Sequence, residues 1–357
     1  MKKVGICTLH DAAPNFGATL QAFALQEVLK KLDYEPEFLK FKKENRHERD
    51  VINKLIENDD LVINSIRNCR YSPVDTKNIS INSRLKKSRV FLNVSENLYN
   101  KNDDIYKSII LGSDELWNVN NPSFEHRKEY YGYDLNCNNI FAYAPSCNTT
   151  TVEEFKEFHN NKIDFGKVSK LSARDVNTKK LIKEIAGRDA KLVLDPTMLL
   201  KSIDKYAIIP DEKDYILIYD YNVSNERKKK IKKLAKEMNL PVYSIGFYCK
   251  WADKNIDANI FEFIGYMKNA TYVVTATFHG TIFSILTKKQ FVSYACLGYK
   301  IEDLLKRLEL TDRDATGIEN LSDIIDKPIN YDRVFNILED ERKISIEYLK
   351  NALENEV

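Results

Sequence analysis

Short apolar runs alternate along the chain with longer stretches in which apolar residues recur at helical spacing. The first apolar run covers residues 3–9, and residues 17–32 then place apolar side chains such as Leu25 and Leu29 at helical intervals. An apolar run followed by a helical pattern predicts a buried strand, a loop and a helix at the start of the chain.

The same alternation continues through most of the sequence. We predict further strands at residues 35–41, 105–111, 140–144, 168–173, 192–194, 215–221, 242–247, 272–276 and 291–295. Helical patterns cover residues 177–186, 225–239, 258–269 and 279–288. This order is typical of parallel sheets whose strands are connected by helices. Residues 42–102 are charged and poorly periodic, and we expect helices and long loops there.

The chain length indicates more than one core. Domains usually hold roughly 100 to 200 residues, and this chain has 357, so we predict an α/β protein of two lobes. We place the first lobe at residues 1–165 and the second at residues 166–330. Residues 331–357 form a C-terminal helical segment with an amphipathic pattern, and we expect it to pack back on the first lobe.

Net charge excludes a broad electrostatic attraction to nucleic acid. Lys+Arg total 55 and Asp+Glu total 53, which leaves a formal charge of +2. The lysines at 228–230, 232 and 233 lie on a predicted helix whose opposite face is apolar, so a solvated helix face is favoured over a nucleic-acid patch. We predict no nucleic-acid partner.

Cysteine spacing and hydropathy bear on the compartment. The six cysteines contain no CxxC pair, which predicts free thiols in a reducing compartment and no metal site. No apolar run reaches about 18 residues, and the first residues lack a secretory pattern. We therefore predict a cytoplasmic protein without a transmembrane segment, with peripheral association at the inner membrane face left open.

The loop after the first strand is a candidate binding element, because open α/β sheets bind ligands at the carboxyl ends of their strands. His10 is placed for proton transfer there, although a lone histidine is more often incidental. Asn15 either caps the following helix or contacts a ligand, and Gly17 lets a ligand approach the helix amides. A GxGxxG pattern is absent from the sequence, which disfavours a nicotinamide enzyme.

Two other strand ends carry polar residues. Gly112, Ser113 and Asp114 follow the strand at 105–111, and Trp117 offers either a flat face for a sugar ring or a buried core side chain. Arg174 follows the strand at 168–173, where a guanidinium can bind a carboxylate or phosphate in a bidentate fork. The alternative for Arg174 is a structural ion pair with Asp175 or Asp195.

The strand at 272–276 ends in the sequence Thr277, Phe278, His279, Gly280, Thr281. A histidine between a strand and a helix faces ligand space, and the helix N-terminus beside it favours anions. We interpret His279 as an acid or base, with helix capping as the alternative role.

Together these segments resemble the polysaccharide pyruvyl transferase family. The run NFGATLQAFALQ is similar to the family's NYGAxLQAYALQ, with Phe16 and Phe23 in place of tyrosines. Likewise LGSDELWN is similar to GSDQVWN, SARD to SxRE, VLDPT to VLDPT and TFHGT to SFHGT, in the same order along the chain. Thr277 stands where some members have an arginine, and Lys300 stands where an arginine is common.

The resemblance implies a GT-B-like pair of Rossmann-like lobes with an active cleft between them. It implies phosphoenolpyruvate as donor substrate, no cofactor, and a saccharide acceptor, with a lipid-linked glycan as one form. The product would be a pyruvyl ketal in surface polysaccharide biosynthesis.

The resemblance also assigns residues to roles. His279, with His10, is the catalytic candidate, and Asp195 supports the site structurally. The implied donor-binding residues are Arg174, Thr277, Gly280, Thr281 and Lys300. The implied acceptor and cleft residues are Asn15, Gly17, Gly112, Ser113, Asp114 and Trp117.

Two alternatives stay open. The same scaffold suits a nucleotide-sugar-dependent glycosyltransferase, although the second lobe has no evident uracil or ribose motif. A non-catalytic saccharide-binding relative is the other alternative, against which the presence of His279 and Arg174 argues.

Overall fold

The computed structural model describes residues 2–9, 15–42, 83–102, 105–121, 126–295 and 299–354. His10 lies outside the described residues, as do residues 43–82 of the poorly periodic region. The strands are β1 (Lys2–Cys7), β2 (Tyr34–Phe38), β3 (Ser108–Leu111), β4 (Ile140–Ala142), β5 (Ser172–Ala173), β6 (Lys191–Leu192), β7 (Ile216–Tyr219), β8 (Val242–Ile245), β9 (Lys254–Ile256), β10 (Tyr272–Thr275) and β11 (Gln290–Ser293). The helices are α1 (Phe16–Lys31), α2 (Ser83–Lys87), α3 (Val152–Phe158), α4 (Val176–Ala186), α5 (Asn225–Met238), α6 (Ile260–Asn269), α7 (Phe278–Leu286), α8 (Tyr299–Arg307), α9 (Ser322–Ile325) and α10 (Tyr331–Leu353).

The first sheet holds parallel strands in the order β2, β1, β3, β4. Ile6 of β1 is in register with Phe38 on one side and Ile110 on the other. All three side chains are fully buried. Continuous apolar strands of this kind are typical of parallel sheets that are covered on both faces.

Strands β5 and β6 form a separate two-stranded parallel sheet beside β4. The Ser169 amide donates to the Ile140 carbonyl at 2.7 Å, and the Ala142 amide donates to the Lys170 carbonyl at 2.9 Å, which ties the segment before β5 to β4. Strand β5 pairs in parallel with β6. The five-stranded sheet begins with β7, after β6. The boundary between lobes at residues 165 and 166 stays a prediction.

The second sheet holds parallel strands in the order β11, β10, β7, β8, β9. Val274 of β10 lies between Ile218 of β7 and Val292 of β11. Helices α5, α6 and α7 connect successive strands of this sheet. The strand and helix alternation predicted from the sequence thus gives two Rossmann-like lobes.

Helix α1 is buried on nearly all sides because it lies between the lobes. Phe16 stacks on Phe263 of α6 with ring centroids 4.4 Å apart, and Phe23 meets Phe261 edge to face at 5.4 Å. The helix also contacts α7 and the 3₁₀ turn Pro196–Leu199. Buried residues of both sheets accordingly belong to one hydrophobic cluster.

Helix α10 joins the two lobes a second time. At its beginning the Tyr331 hydroxyl donates to the carbonyl of Lys289, next to β11. Further along, the Tyr348 hydroxyl donates to the Ala142 carbonyl of β4 at 2.8 Å. The C-terminal helix therefore reaches the first lobe. Among the described helices none combines the length and the apolar character that crossing a bilayer requires.

Candidate active site

His279 lies in the first turn of α7, directly after β10. The Thr277 hydroxyl caps this helix by accepting a hydrogen bond from the Gly280 amide at 2.9 Å, and the Thr277 amide donates to Thr275 Oγ1 at 3.0 Å. A β-carbon at Gly280 would lie 2.1 Å from Thr275 Oγ1, so glycine alone fits this turn. The turn thereby fixes the imidazole at the carboxyl end of β10.

The threonine side chains on either side of His279 form hydrogen bonds within the protein. The Thr281 hydroxyl donates to the Thr277 carbonyl at 3.0 Å and lies 2.6 Å from Ser293 Oγ. Thr277, Gly280 and Thr281 therefore build the turn that holds the imidazole. That they contact a donor stays a prediction.

Asp195 connects the two principal candidates. It begins the 3₁₀ turn Pro196–Leu199, where its Oδ1 accepts hydrogen bonds from the amide and hydroxyl of Thr197 at 3.0 and 2.6 Å. Its Oδ2 accepts from Arg174 Nη1 at 2.8 Å and lies 3.4 Å from His279 Nε2. Burial alone would raise the pKa of Asp195, but the imidazole and the guanidinium outweigh burial and lower the pKa well below its usual range.

Arg174 is almost completely buried, with 2% of its side chain exposed. Its guanidinium lies over the Phe278 ring, 4.5 Å from the centroid, and its Nη2 is 3.7 Å from Asp114 Oδ1. Burial would lower the pKa of Arg174, and the carboxylates of Asp195 and Asp114 outweigh this effect and raise it. The guanidinium therefore carries its full positive charge inside the protein.

The side edge of this guanidinium has unused hydrogen-bonding capacity. Arg174 Nε and Nη2 are both buried, and no described residue accepts a hydrogen bond from either atom. Such buried donors are costly to leave unpaired. Because Nε and Nη2 form one edge of the planar guanidinium, a carboxylate or a phosphate could accept both hydrogen bonds at once.

Helix α1 brings the first lobe against His279. A β-carbon at Gly17 would lie 2.1 Å from His279 Nδ1, so the backbone of α1 passes directly beside the imidazole. Asn15 caps the helix by accepting from the Ala18 amide at 3.3 Å, and it lies 3.5 Å from the Tyr219 hydroxyl of the second lobe. Asn15 and Gly17 therefore lie at the junction between the lobes, and that they contact an acceptor stays a prediction.

The loop after β3 contributes one side chain to the site. Gly112 has φ +116°, and a β-carbon there would lie 2.3 Å from the Tyr143 carbonyl oxygen, so the loop needs glycine. The fully buried Ser113 hydroxyl donates to Gln21 of α1, away from Arg174. Asp114 is the residue that reaches the guanidinium. Gly112 and Ser113 thus position Asp114, and any ligand contact by their amides stays a prediction.

Lys300, predicted to bind the donor, is held by a carboxylate that sequence reasoning did not assign. Its ammonium, at the start of α8, forms an ion pair with Glu115 of the first lobe and lies 5.7 Å from the centroid of the Phe278 ring. Glu115 also accepts a hydrogen bond from Asn118 Nδ2 at 2.8 Å. Burial would raise the pKa of Glu115, but Lys300 and Asn118 outweigh burial and lower it to about 2.

Trp117 belongs to the core and not to the cleft. Its side chain is fully buried, its Nε1 donates to the Tyr130 carbonyl at 2.9 Å, and its ring centroid lies 4.6 Å from that of Phe165. The ring is therefore closed to a sugar in this structure. The side chain belongs to the hydrophobic cluster that also contains Tyr131, Phe155 and Phe165.

The structure thus brings Arg174, Asp195, His279, Asp114 and Gly17 together at the junction of the lobes. A buried cation with two available N–H groups lies beside an imidazole, and both share one carboxylate oxygen. This arrangement can bind a small anion and move a proton next to it.

The chain is similar to one known protein family and to several solved structures. The model of the polysaccharide pyruvyl transferase family matches residues 15–297. No curated protein matches the sequence. Among solved structures, UDP-GlcNAc 2-epimerase from Neisseria meningitidis bound to UDP-GlcNAc is similar at 13% identity and TM-score 0.54, over 98% of this chain and 100% of that one. A UDP-N-acetylglucosamine 2-epimerase is similar at 11% identity and TM-score 0.52, over 98% and 95% of the two chains.

A glycosyltransferase from Streptomyces nogalater also aligns with 99% of this chain and 99% of its own, at 9% identity and TM-score 0.44. At these identities the likeness to the epimerases is one of fold alone. The predicted fold class, α/β with two Rossmann-like lobes in a GT-B-like arrangement, is confirmed.

Proposed function

The chain belongs to the polysaccharide pyruvyl transferase family, and on this premise we propose that it transfers the pyruvyl group of phosphoenolpyruvate to two hydroxyls of a saccharide. The product is a pyruvyl ketal in surface polysaccharide biosynthesis. The proposed acceptor is a glycan on a lipid carrier at the inner membrane face, modified by a cytoplasmic enzyme that needs no metal and no cofactor.

The observation that carries the proposal is the edge of Arg174 formed by Nε and Nη2, from which no described residue accepts a hydrogen bond. Phosphoenolpyruvate bears a carboxylate and a phosphate, and either group can accept two parallel hydrogen bonds from Nε and Nη2. A lysine could supply the charge at this position but not the paired geometry. The proposed role of His279 as proton carrier is supported by its Nε2, which lies 3.4 Å from the Asp195 oxygen that also binds Arg174.

In the proposed reaction the methylene carbon C3 of phosphoenolpyruvate gains a proton as a saccharide hydroxyl oxygen bonds to C2. The bond between C2 and the phosphate oxygen then breaks, and a second hydroxyl oxygen bonds to C2 and closes the ring. Two hydroxyl protons are released, of which one balances the proton gained at C3 and the other leaves on hydrogen phosphate. His279 moves the proton between hydroxyl and carbon, and Arg174 neutralises the charge of the donor.

Access to this edge requires the contacts between the lobes to open. The exposed fraction is 2% for the side chain of Arg174 and 10% for that of His279. Glu115 and Lys300 form an ion pair that crosses the junction next to Phe278. We propose that this pair separates when the donor enters. Other enzymes likewise open to admit a substrate before their domains close over it.

Titration calorimetry with phosphoenolpyruvate, in buffer containing a chelator, tests donor binding. Arg174→Lys is expected to weaken binding about 10- to 100-fold, the loss expected for a charge-assisted bidentate contact. Arg313→Lys is the matched control, because Arg313 is equally buried but donates to the carbonyls of Ile324 and Lys327 away from the site. Binding of a nucleotide sugar in place of phosphoenolpyruvate would instead support the glycosyltransferase alternative.

His279→Ala tests the catalytic role. We expect turnover to fall about 100- to 10,000-fold, the usual contribution of an acid or base, while phosphoenolpyruvate affinity and thermal stability stay close to those of the wild type. Phosphate release in the presence of a saccharide acceptor is the measurement. Near-normal turnover in this variant would remove the mechanism, and saccharide binding without any turnover of the wild type would support a non-catalytic relative.

A further inference from the structure

An aromatic surface stands at the carboxyl ends of β7 and β8, beside the candidate active site. Tyr221 follows β7 by two residues and is 46% exposed, whereas Tyr219 at the end of the same strand is buried. The ring of Tyr221 meets that of Phe247, which follows β8, with centroids 4.8 Å apart and planes at 60°. Phe247 in turn stacks on Tyr219 at 5.6 Å and 28°. Phe247 thereby packs against the buried Tyr219, whereas Tyr221 remains exposed to solvent.

This surface faces the first lobe across the junction. The Tyr219 hydroxyl donates to Asn15 Oδ1 of the first lobe at 3.5 Å, and the Tyr219 ring stacks on Phe247 of the aromatic surface. Asn15 is the cap of α1, and two residues further along the same turn Gly17 passes beside His279. One turn of helix therefore connects the aromatic surface with the imidazole.

We infer that Tyr221 and Phe247 bind a pyranose ring of the acceptor saccharide, an inference that rests on the proposed function. A sugar ring has an apolar face of C–H groups that packs against an aromatic ring, and hydroxyls that need hydrogen-bonding partners around that face. Tyr221 offers the ring, and Asn15, which contacts the neighbouring Tyr219 hydroxyl, offers a polar amide on the first lobe. The acceptor hydroxyls would then lie on the side of the surface that leads to His279.

The charges around the surface favour a neutral sugar over a nucleotide. Glu115 is paired with Lys300, and Asp220 accepts from Arg227 Nη1 at 2.6 Å. The carboxylates of Glu115 and Asp220 are thus each paired with a cation, and neither pair leaves a free cation for a phosphate. A nucleobase could stack on the same ring, and UDP is therefore tested as a separate probe.

Saturation-transfer NMR titrations test the inference. The probes are the methyl glycosides of glucose, galactose, mannose and their 2-acetamido forms, with UDP as a separate probe. We expect at least one glycoside to bind the wild type and Tyr221→Phe, and to bind Tyr221→Ala about 10-fold more weakly, because the phenyl ring supplies most of the contact. Phe158→Ala is the control, since Phe158 is an aromatic of similar exposure in the first lobe.

Phosphoenolpyruvate affinity, measured on the same variants, separates the two proposals. We expect it to be unchanged in Tyr221→Ala. The inference is overturned if no glycoside binds the wild type, if Tyr221→Ala binds glycosides as the wild type does, or if UDP binding alone depends on Tyr221. Failure of phosphoenolpyruvate to bind, with Tyr221-dependent glycoside binding intact, would instead remove the proposed donor and leave the saccharide site standing.

Discussion

At the scale of single residues, Gly17 marks the closest approach of the first lobe to His279. The absence of a side chain lets α1 pass where a β-carbon would lie 2.1 Å from the imidazole Nδ1. The first lobe therefore forms one wall of the space in which the imidazole sits. Any side chain at this position must move His279, move α1, or separate the lobes.

Gly17→Ala is accordingly expected to reduce turnover about 100-fold, since a displacement of about 1 Å at a reacting group has effects of this size. Phosphate release measures turnover, and calorimetry measures donor affinity, which should change less because Arg174 is not displaced directly. Gly166→Ala is the control, because Gly166 lies in an exposed loop of the same lobe. Wild-type turnover in Gly17→Ala would show that the imidazole can shift without consequence.

The residues that could be predicted for the site are those that follow buried strands. Arg174 and Asp195 follow the paired strands β5 and β6, and parallel strands end at a common edge, so their proximity follows from position. His279 follows β10 of another sheet, and its approach to Asp195 depends on how the lobes pack. The environment of Trp117 could not be read from its neighbours in sequence, because burial of an indole depends on segments that pack from elsewhere. The pair of Glu115 and Lys300 was missed because 185 positions separate its members.

At the scale of elements, helix α8 is joined to the loop after β3 by Glu115 and Lys300. Both side chains are mostly removed from solvent, at 11% and 14% exposure. The folded-state pKa of Glu115, about 2, lies below its ordinary value of 4.5, so the pair stabilises the fold above pH 4.5 and loses this contribution as the pH falls toward 2.

Glu115→Gln is expected to lower the free energy of unfolding by about 2 to 3 kcal/mol at pH 7, because it leaves the Lys300 ammonium without its partner. The difference from the wild type should shrink as the pH is lowered from 4.5 toward 2. Denaturant unfolding at several pH values is the measurement. Glu302→Gln is the control, since the pair of Glu302 and Lys306 on the same helix is exposed and should contribute little. An equal loss in both variants would contradict the role given to burial.

Helix α3 carries a second pH-sensitive contact. His159 caps the end of this helix between Tyr131 and Phe155, and His126 packs against Phe158. Burial lowers the pKa of each histidine from 6.5 to about 4. The unfolded chain therefore binds protons between pH 6.5 and pH 4 that the folded chain does not, and stability is complete above pH 6.5 and falls as the pH drops toward 4.

His126→Phe should flatten this dependence by up to about 1 kcal/mol per pH unit, because the phenyl ring keeps the packing and removes the proton. Thermal unfolding between pH 7 and pH 4 is the measurement. His159→Phe should have a smaller effect, since solvent reaches that side chain more easily. A wild-type slope in His126→Phe would show that other groups set the pH dependence.

The elements that sequence patterns predicted are those whose own side chains are buried. Strands β1, β3, β7 and β10 are continuous apolar runs, and each lies inside a sheet. Strand β9 was not predicted because it is an edge strand of only 3 residues that begins with Lys254 and Asn255. Strand β9 forms through backbone pairing with β8, and its short polar sequence does not show the apolar pattern that predicts a strand.

At the scale of the whole molecule, the lobes share one hydrophobic core. Helix α1 packs between the sheets, and helix α10 begins on the second lobe and ends on the first. Leu349 of α10 is fully buried in this shared cluster. The two lobes should therefore unfold together, although each has its own sheet.

Leu349→Ala is expected to lower the free energy of unfolding by about 3 kcal/mol, as for other fully buried leucines, and to do so in a single transition. Differential scanning calorimetry gives both the stability and the number of transitions. Leu98→Ala is the control, because Leu98 is an exposed leucine of the first lobe. Separate melting of the lobes in the variant would show that the shared core does not couple them.

The carboxylate of Asp195 has a consequence for measurements on its two neighbours. Because one oxygen serves both Arg174 and His279, removal of either neighbour changes the electrostatic surroundings of the other. The penalties of Arg174→Lys and His279→Ala should therefore not be additive: the combined variant should lose less catalytic free energy than the two single losses together. A double-mutant cycle over the wild type, the two single variants and the double variant would measure this coupling. Additive effects would show that the shared oxygen does not couple the two residues energetically.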